Sequence, residues 1–145
     1  MKIYTIGFTK KSARTFFTKL REANGLSRLI DVRLNNVSQL AGFAKKDDLT
    51  YFLEELCHVP YLHELQLAPT KPLLDSYKKE RGAWSEYEER FLALMKERRI
   101  EDKIHPDVVD NACLLCSEDK PHMCHRRLVA EYLQKAWGDV NIVHL

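Results

Sequence analysis

Short runs of β-forming residues alternate with amphipathic stretches at helical spacing along this chain, and that alternation is what most constrains its fold. Lys2 to Phe8 carries Ile3, Tyr4, Thr5 and Ile6, which predicts a first strand with Gly7 at its carboxyl end. Ser12 is placed to cap a helix from Ala13 to Ala23, with Phe16, Phe17 and Leu20 on one face and Asn24-Gly25 as its stop. Leu29 to Arg33 reads as a second strand. Leu34 to Lys46 shows no period and reads as a long loop, a length that is often functional in compact domains. Asp47 or Asp48 opens a helix through Cys57, and Val59 to His63 is a further strand.

The pattern continues to the end of the chain. Pro72 starts a helix that reaches Lys79, and Ser85 caps a longer one from Glu86 to Arg99. Ala112 to Cys116 is the strongest buried-strand run, Arg126 to Trp137 is helical, and Val140 to His144 is a last strand. Strands separated by helices predict a mostly parallel central sheet with helices on both faces. The expected fold is therefore α/β, three-layered and Rossmann-like, built as one domain over residues 1–145. Hydrophobic residues at 45% supply a core for it. No apolar run is long enough to cross a bilayer, and Met1 to Phe8 has no secretory-signal pattern, so a cytoplasmic protein without a membrane partner is expected. Lys and Arg total 23 against 21 Asp and Glu. That balance excludes nucleic-acid binding by bulk charge and leaves only local basic clusters for it.

In a parallel sheet of this kind, ligands bind beyond the carboxyl ends of the strands. Those ends bring Gly7, Asp31, Arg33 and Glu118 together with Cys124, His125 and Arg126, which open the following helix. Asp31 and Arg33 are two apart and point to the same side of their strand. Arg33 is thus a candidate anion anchor oriented by an acid, and Arg126 at a helix start is a second one. Lys45 and Lys46 can close over an anion from the long loop. Tyr61 and His63 share a face and can line the pocket. Tyr77, Trp84, Tyr87 and Phe91 read as core residues rather than as a base-stacking platform.

The segment from Cys113 to Arg126 is the richest in chemistry. The chain has four cysteines, which in a reducing compartment are thiols, metal ligands or catalytic groups rather than disulfides. A four-ligand zinc site that includes Cys113 is disfavoured, because strand residues three apart point to opposite faces. A smaller site made by Cys116, Cys124 and His125 remains, with a divalent metal such as zinc as its ion. Alternatively Cys124, at a helix start beside His125 and Arg126, is a reactive thiol. Glu118 is a candidate general acid or base if it is desolvated.

Several separated motifs occur in order: Ile3-Tyr4-Thr5-Ile6-Gly7, Ile30-Asp31-Val32-Arg33, Gly42-Phe43-x-Lys45 followed by Leu49, Tyr61-x-His63, Leu67-Ala68-Pro69-Thr70, Cys116-x-Glu118 and Cys124-His125-Arg126. With them the chain resembles the domain of unknown function 488 family over nearly its whole length. The resemblance implies a small intracellular α/β domain and carries no assigned activity. The motif positions place Phe43 with Gly7, Asp31, Arg33, Lys45, Tyr61, His63 and Arg126 in the candidate substrate-binding set, and Cys116, Glu118, Cys124 and His125 in the candidate catalytic set. The expected function is an enzyme or enzyme-like domain that takes an anionic ligand, nucleotide-like or otherwise phosphate-bearing, at the sheet edge. A nucleic acid is a further candidate partner. The alternatives are a Cys/His metal-binding protein and a non-catalytic binding module. Asp-Val-Arg after a strand also occurs in rhodanese-like domains, but the carboxylates of Glu118 and Asp119 would repel a persulfide at Cys116. A Cys-loop-Arg phosphatase is excluded, because the residue six after Cys116 is His122.

Overall fold

Ala112–Cys116 is apolar at every position and buried at every position, so it must lie inside a sheet covered on both faces. The computed structural model, which describes residues 1–37 and 41–145, places it there as strand β4. Lys2–Gly7 forms β1, Arg28–Asp31 β2, Tyr61–His63 β3 and Asn141–His144 β5. The spatial order is β3-β2-β4-β1-β5, and every neighbouring pair is parallel. The register sets Gly7 beside Cys116, Asp31 beside Leu115 and Asp31 beside His63, so the candidate site residues end level at one edge.

The helices lie on both faces of this sheet. Helices α1 (Ala13–Glu22) and α2 (Lys46–Phe52) cover one face, closing a core that includes Phe8, Phe16, Phe17, Leu49 and Leu115. Helices α3 (Lys71–Lys78), α4 (Trp84–Arg98), α5 (Ile100–Lys103), α6 (Pro106–Val109) and α7 (His125–Trp137) cover the other, around Phe91, Met95, Leu114 and Val129. From β1 the chain moves toward β3, then returns through β4 to β5. The connections leaving β1 and β4 therefore depart in opposite directions on opposite faces, which opens a crevice at their carboxyl ends. Alternation along β4 puts Cys113 in the first core and Cys116 in the second, as a strand requires.

Several boundaries differ from the sequence reading. Helix α2 begins at Lys46, with Lys45 rather than Asp47 or Asp48 as its cap. It continues into a π-helical turn, Leu53–Cys57, that ends on left-handed His58. The predicted loop from 34 to 46 contains a short 3-10 turn at Gly42–Ala44, and its residues 38–40 lie outside the described residues. Helix α4 starts at Trp84, capped by the backbone of Ala83 rather than by Ser85. Helices α5 and α6 span four residues each, too few to show a hydrophobic period in the sequence. No helix among the described residues is long and apolar enough to cross a membrane.

Candidate functional site

Asp31 ends β2 with no exposed surface, and Arg33 follows it out of the strand with 6% exposed. Buried charges of this kind need partners. Arg33 donates from Nε to Asp31 Oδ1 at 2.9 Å and from Nη2 to Asp31 Oδ2 at 2.7 Å, a parallel two-bond fork. The same Nη2 reaches the carbonyl of Ala44 at 2.7 Å. Nη1 has no hydrogen-bond partner among the described residues. The guanidinium lies 5.2 Å from the ring centre of Phe8.

Tyr61 and His63 stand behind this fork. The Tyr61 hydroxyl donates to Asp31 Oδ2 at 2.6 Å, and burial together with that carboxylate pushes the phenol up from its ordinary pKa. Asn36 donates to the Tyr61 oxygen at 3.1 Å and sits 3.1 Å from His63 Nδ1. His63 Nε2 lies 2.7 Å from the Arg33 carbonyl, so the ring carries its proton there and accepts from Asn36 at Nδ1. Tyr61 and His63 thus hold Arg33 and Asp31 in place rather than lining the pocket. Asn36 has no signature in the sequence, because a lone Asn in a loop without period matches no motif.

The second half of the site belongs to the start of α7. Cys124 is the residue before the helix, with extended backbone angles, and His125 is its first residue. His125 Nε2 lies 2.7 Å from the carbonyl of Val32, and Nδ1 lies 3.5 Å from Cys116 Sγ at the end of β4. Nε2 must donate to that carbonyl, which turns Nδ1 toward the sulfur. Cys116, Cys124 and His125 are all buried, and one ligand atom from each lies within 4.8 Å of the others. Burial raises the Cys116 thiol, but hydrogen bonding with Cys124 and His125 and the charges of His125 and Arg126 pull it well below the ordinary thiol range. Cys124 moves the other way, pushed up by burial and by the neighbouring sulfur of Cys116. Burial opposes protonation of His125, and the negative Cys116 outweighs it to raise that ring. All four cysteines are free thiols.

Arg126 has a different role from the one its sequence suggests. Its side chain is completely buried, and it donates from Nη1 to the Glu118 carbonyl at 2.5 Å and from Nη2 to the Asp119 carbonyl at 3.2 Å. Nε reaches Thr5 Oγ1 at 3.3 Å. It pins the loop after β4 and, fully buried, does not line the cleft described below. Gly7 serves the same contact: a Cβ there would sit 1.5 Å from the Glu118 carbonyl oxygen. Glu118 itself turns outward and pairs with Lys78 Nζ at 2.7 Å, with both side chains more than two-fifths exposed.

These groups surround a cleft of about 220 Å³. Phe8, Arg33, Cys116, Cys124 and His125 line its inner end, and Lys78 and Glu118 line its exposed side. Tyr77, Trp84, Tyr87, Pro69, Leu74 and Met123 form apolar walls. Tyr77 and Trp84 pack with ring centres 5.5 Å apart, and Trp84 stacks on Tyr87 at 5.2 Å. Of the aromatic group read as core, Phe91 is core alone, while the other three also face the cleft. The structure therefore brings Arg33, Cys116, Glu118, Cys124 and His125 to one cavity. Phe43 does not line it; its ring packs 5.2 Å from Phe16 and 5.8 Å from Phe17 in the core under α1. Lys45 does not line it either and stays at the start of α2.

One family, described as a domain of unknown function, DUF488, matches residues 12–133. No curated protein and no solved structure matches the chain. The matched span covers both the Asp31–Arg33 fork and the Cys116, Cys124 and His125 cluster. The chain belongs to the DUF488 family.

Proposed function

We propose that this protein is an enzyme-like domain whose cleft takes a small anionic ligand bearing a planar ring, of the nucleotide class. The observation that carries this reading is Arg33: a buried guanidinium lining the cleft, clamped by Asp31 on one edge, with Nη1 left unpartnered among the described residues. A buried donor without a partner is costly, and an anionic oxygen is the partner that suits it best. Tyr77, Trp84 and Tyr87 supply the apolar, π-rich wall that a base or comparable ring needs. Arg33 holds the anion without Arg126, which is fully buried and does not line the cleft. Cys116, with its lowered thiol pKa and its His125 partner, is the reacting group at the inner end.

The test is calorimetric titration of the protein with adenosine monophosphate and with inorganic phosphate, on wild type and Arg33→Lys. Lysine keeps the charge and loses the fork. Binding that weakens roughly tenfold or more in the variant supports the reading. No heat of binding from either ligand on the wild type overturns it.

A second reading, a Cys/His metal centre, is favoured by a different observation: three buried soft ligands lie within 4.8 Å of one another. It concerns Cys116, Cys124 and His125, whereas the anion reading concerns Arg33.

A further inference from the structure

We infer that Cys116, Cys124 and His125 form a zinc site with three protein ligands and a fourth coordination position that opens into the cleft. This develops the metal reading above and does not depend on the anion reading. Four observations carry it.

The first is the donor set. Two thiolates and one imidazole are the soft ligands zinc prefers, and no carboxylate belongs to the cluster. The second is distance. Tetrahedral bonds of about 2.3 Å to sulfur and 2.0–2.1 Å to nitrogen put the two ligand atoms about 3.6 Å apart. Cys116 Sγ and His125 Nδ1 lie 3.5 Å apart. A thiol–imidazole hydrogen bond has a similar length, so the third observation matters more. His125 Nε2 donates to the Val32 carbonyl at 2.7 Å, which fixes the ring so that Nδ1 faces the sulfurs. An outer hydrogen bond of this kind is what orients a metal-bound histidine. The fourth is access. All three residues line the cleft, so the side of the cluster not occupied by protein ligands faces it.

Three protein ligands with one open position are the arrangement of catalytic rather than structural zinc. Binding balances simply. Zn2+ enters, the Cys116–His125 pair and the Cys124 thiol each release one proton to solvent, and the imidazole gives its Nδ1 lone pair. Two thiolates and one dication sum to zero, so the buried cluster gains no net charge. The fourth position then takes water or an anionic oxygen, on the same cavity that Arg33 lines.

The test is metal content, by mass spectrometry on untagged full-length protein purified without chelators, with cobalt(II) titration of the stripped protein as a second readout. About one zinc per chain and the visible bands of tetrahedral thiolate-bound cobalt are expected. Cys124→Ala should weaken retention roughly a hundredfold or more, with circular dichroism to confirm folding, while Cys57→Ala on the opposite core should retain the ion. Folded wild type that carries no zinc and shows no cobalt spectrum overturns the inference whatever the variants do. Equal loss in Cys57→Ala and Cys124→Ala also overturns it. Zinc binding without any binding of phosphate or adenosine monophosphate would remove the anion reading and keep this one. The converse result would remove this one.

Discussion

Arg33 and Asp31 meet through two parallel hydrogen bonds, 2.9 and 2.7 Å long, at a point where both side chains are buried. The Arg33 backbone N–H also donates to Asp31 Oδ1 at 3.0 Å, so the pair closes a small ring just beyond β2. Removing one buried partner strands the other. Asp31→Asn is therefore expected to cost about 3 kcal/mol in urea denaturation. Asp31→Asn combined with Arg33→Met should recover part of that loss. A single-variant cost below about 1 kcal/mol would show that the pair behaves as a solvated one.

Gly7 gives a prediction about backbone approach. A Cβ at this position meets the Glu118 carbonyl oxygen at 1.5 Å and Arg126 Nη1 at 2.8 Å. Neither a carbonyl held by Arg126 nor strand β1 can yield cheaply. Gly7→Ala should destabilise the protein by roughly 3 kcal/mol. Faster amide exchange in Ser117 to Lys120 should accompany the loss. An unchanged melting temperature would show that the loop after β4 adjusts freely.

The Cys116 thiol predicts a pH profile for the metal-free protein. Its folded-state pKa is lowered against an ordinary value of about 8.5. The stabilisation linked to this shift is present above the ordinary value and is lost as pH falls through the lowered one. Alkylation by iodoacetamide should level off at a lower pH than it does for an ordinary thiol. His125→Asn should move the profile up and slow the reaction at pH 7 by about tenfold or more. A wild-type profile that rises with an ordinary thiol midpoint would contradict the pairing.

Trp84 separates ring recognition from anion recognition. It is partly exposed on the cleft wall, stacked on Tyr87. Trp84→Ala should weaken adenosine monophosphate by about 1–3 kcal/mol and leave inorganic phosphate unchanged. Equal weakening of both would mean that the substitution disturbs the whole cleft.

The sequence showed some of this site and concealed the rest, for identifiable reasons. The alternation of strands and helices was enough for a parallel sheet, and strand geometry was enough to separate Cys113 from Cys116. The carboxyl ends of the strands also located Arg33, Cys116, Cys124 and His125 together. The two arginines look alike as charges, and only placement distinguishes Arg33, which lines the cleft with Nη1 unpartnered among the described residues, from Arg126, which is buried against Thr5 and the loop after β4. Tyr77, Trp84 and Tyr87 sit at helical spacing, and a cleft wall satisfies that pattern as well as a core does. Glu118 finds Lys78 forty positions away, a separation that no local motif reports.

Three consecutive residues at the start of α7 reach three different strands. Cys124 stands beside Cys116 of β4, His125 bonds the carbonyl of Val32 just past β2, and Arg126 bonds Thr5 of β1. The last two contacts join positions 93 and 121 residues apart. Nothing local can assemble them, so the chemical centre comes into being only when three strands and one helix have docked in register. A nascent or partly unravelled chain would present scattered thiols and no centre. The candidate centre is thus a reporter of completed folding: whatever loosens the docking of α7 should extinguish the proposed ligand capture before it melts the sheet.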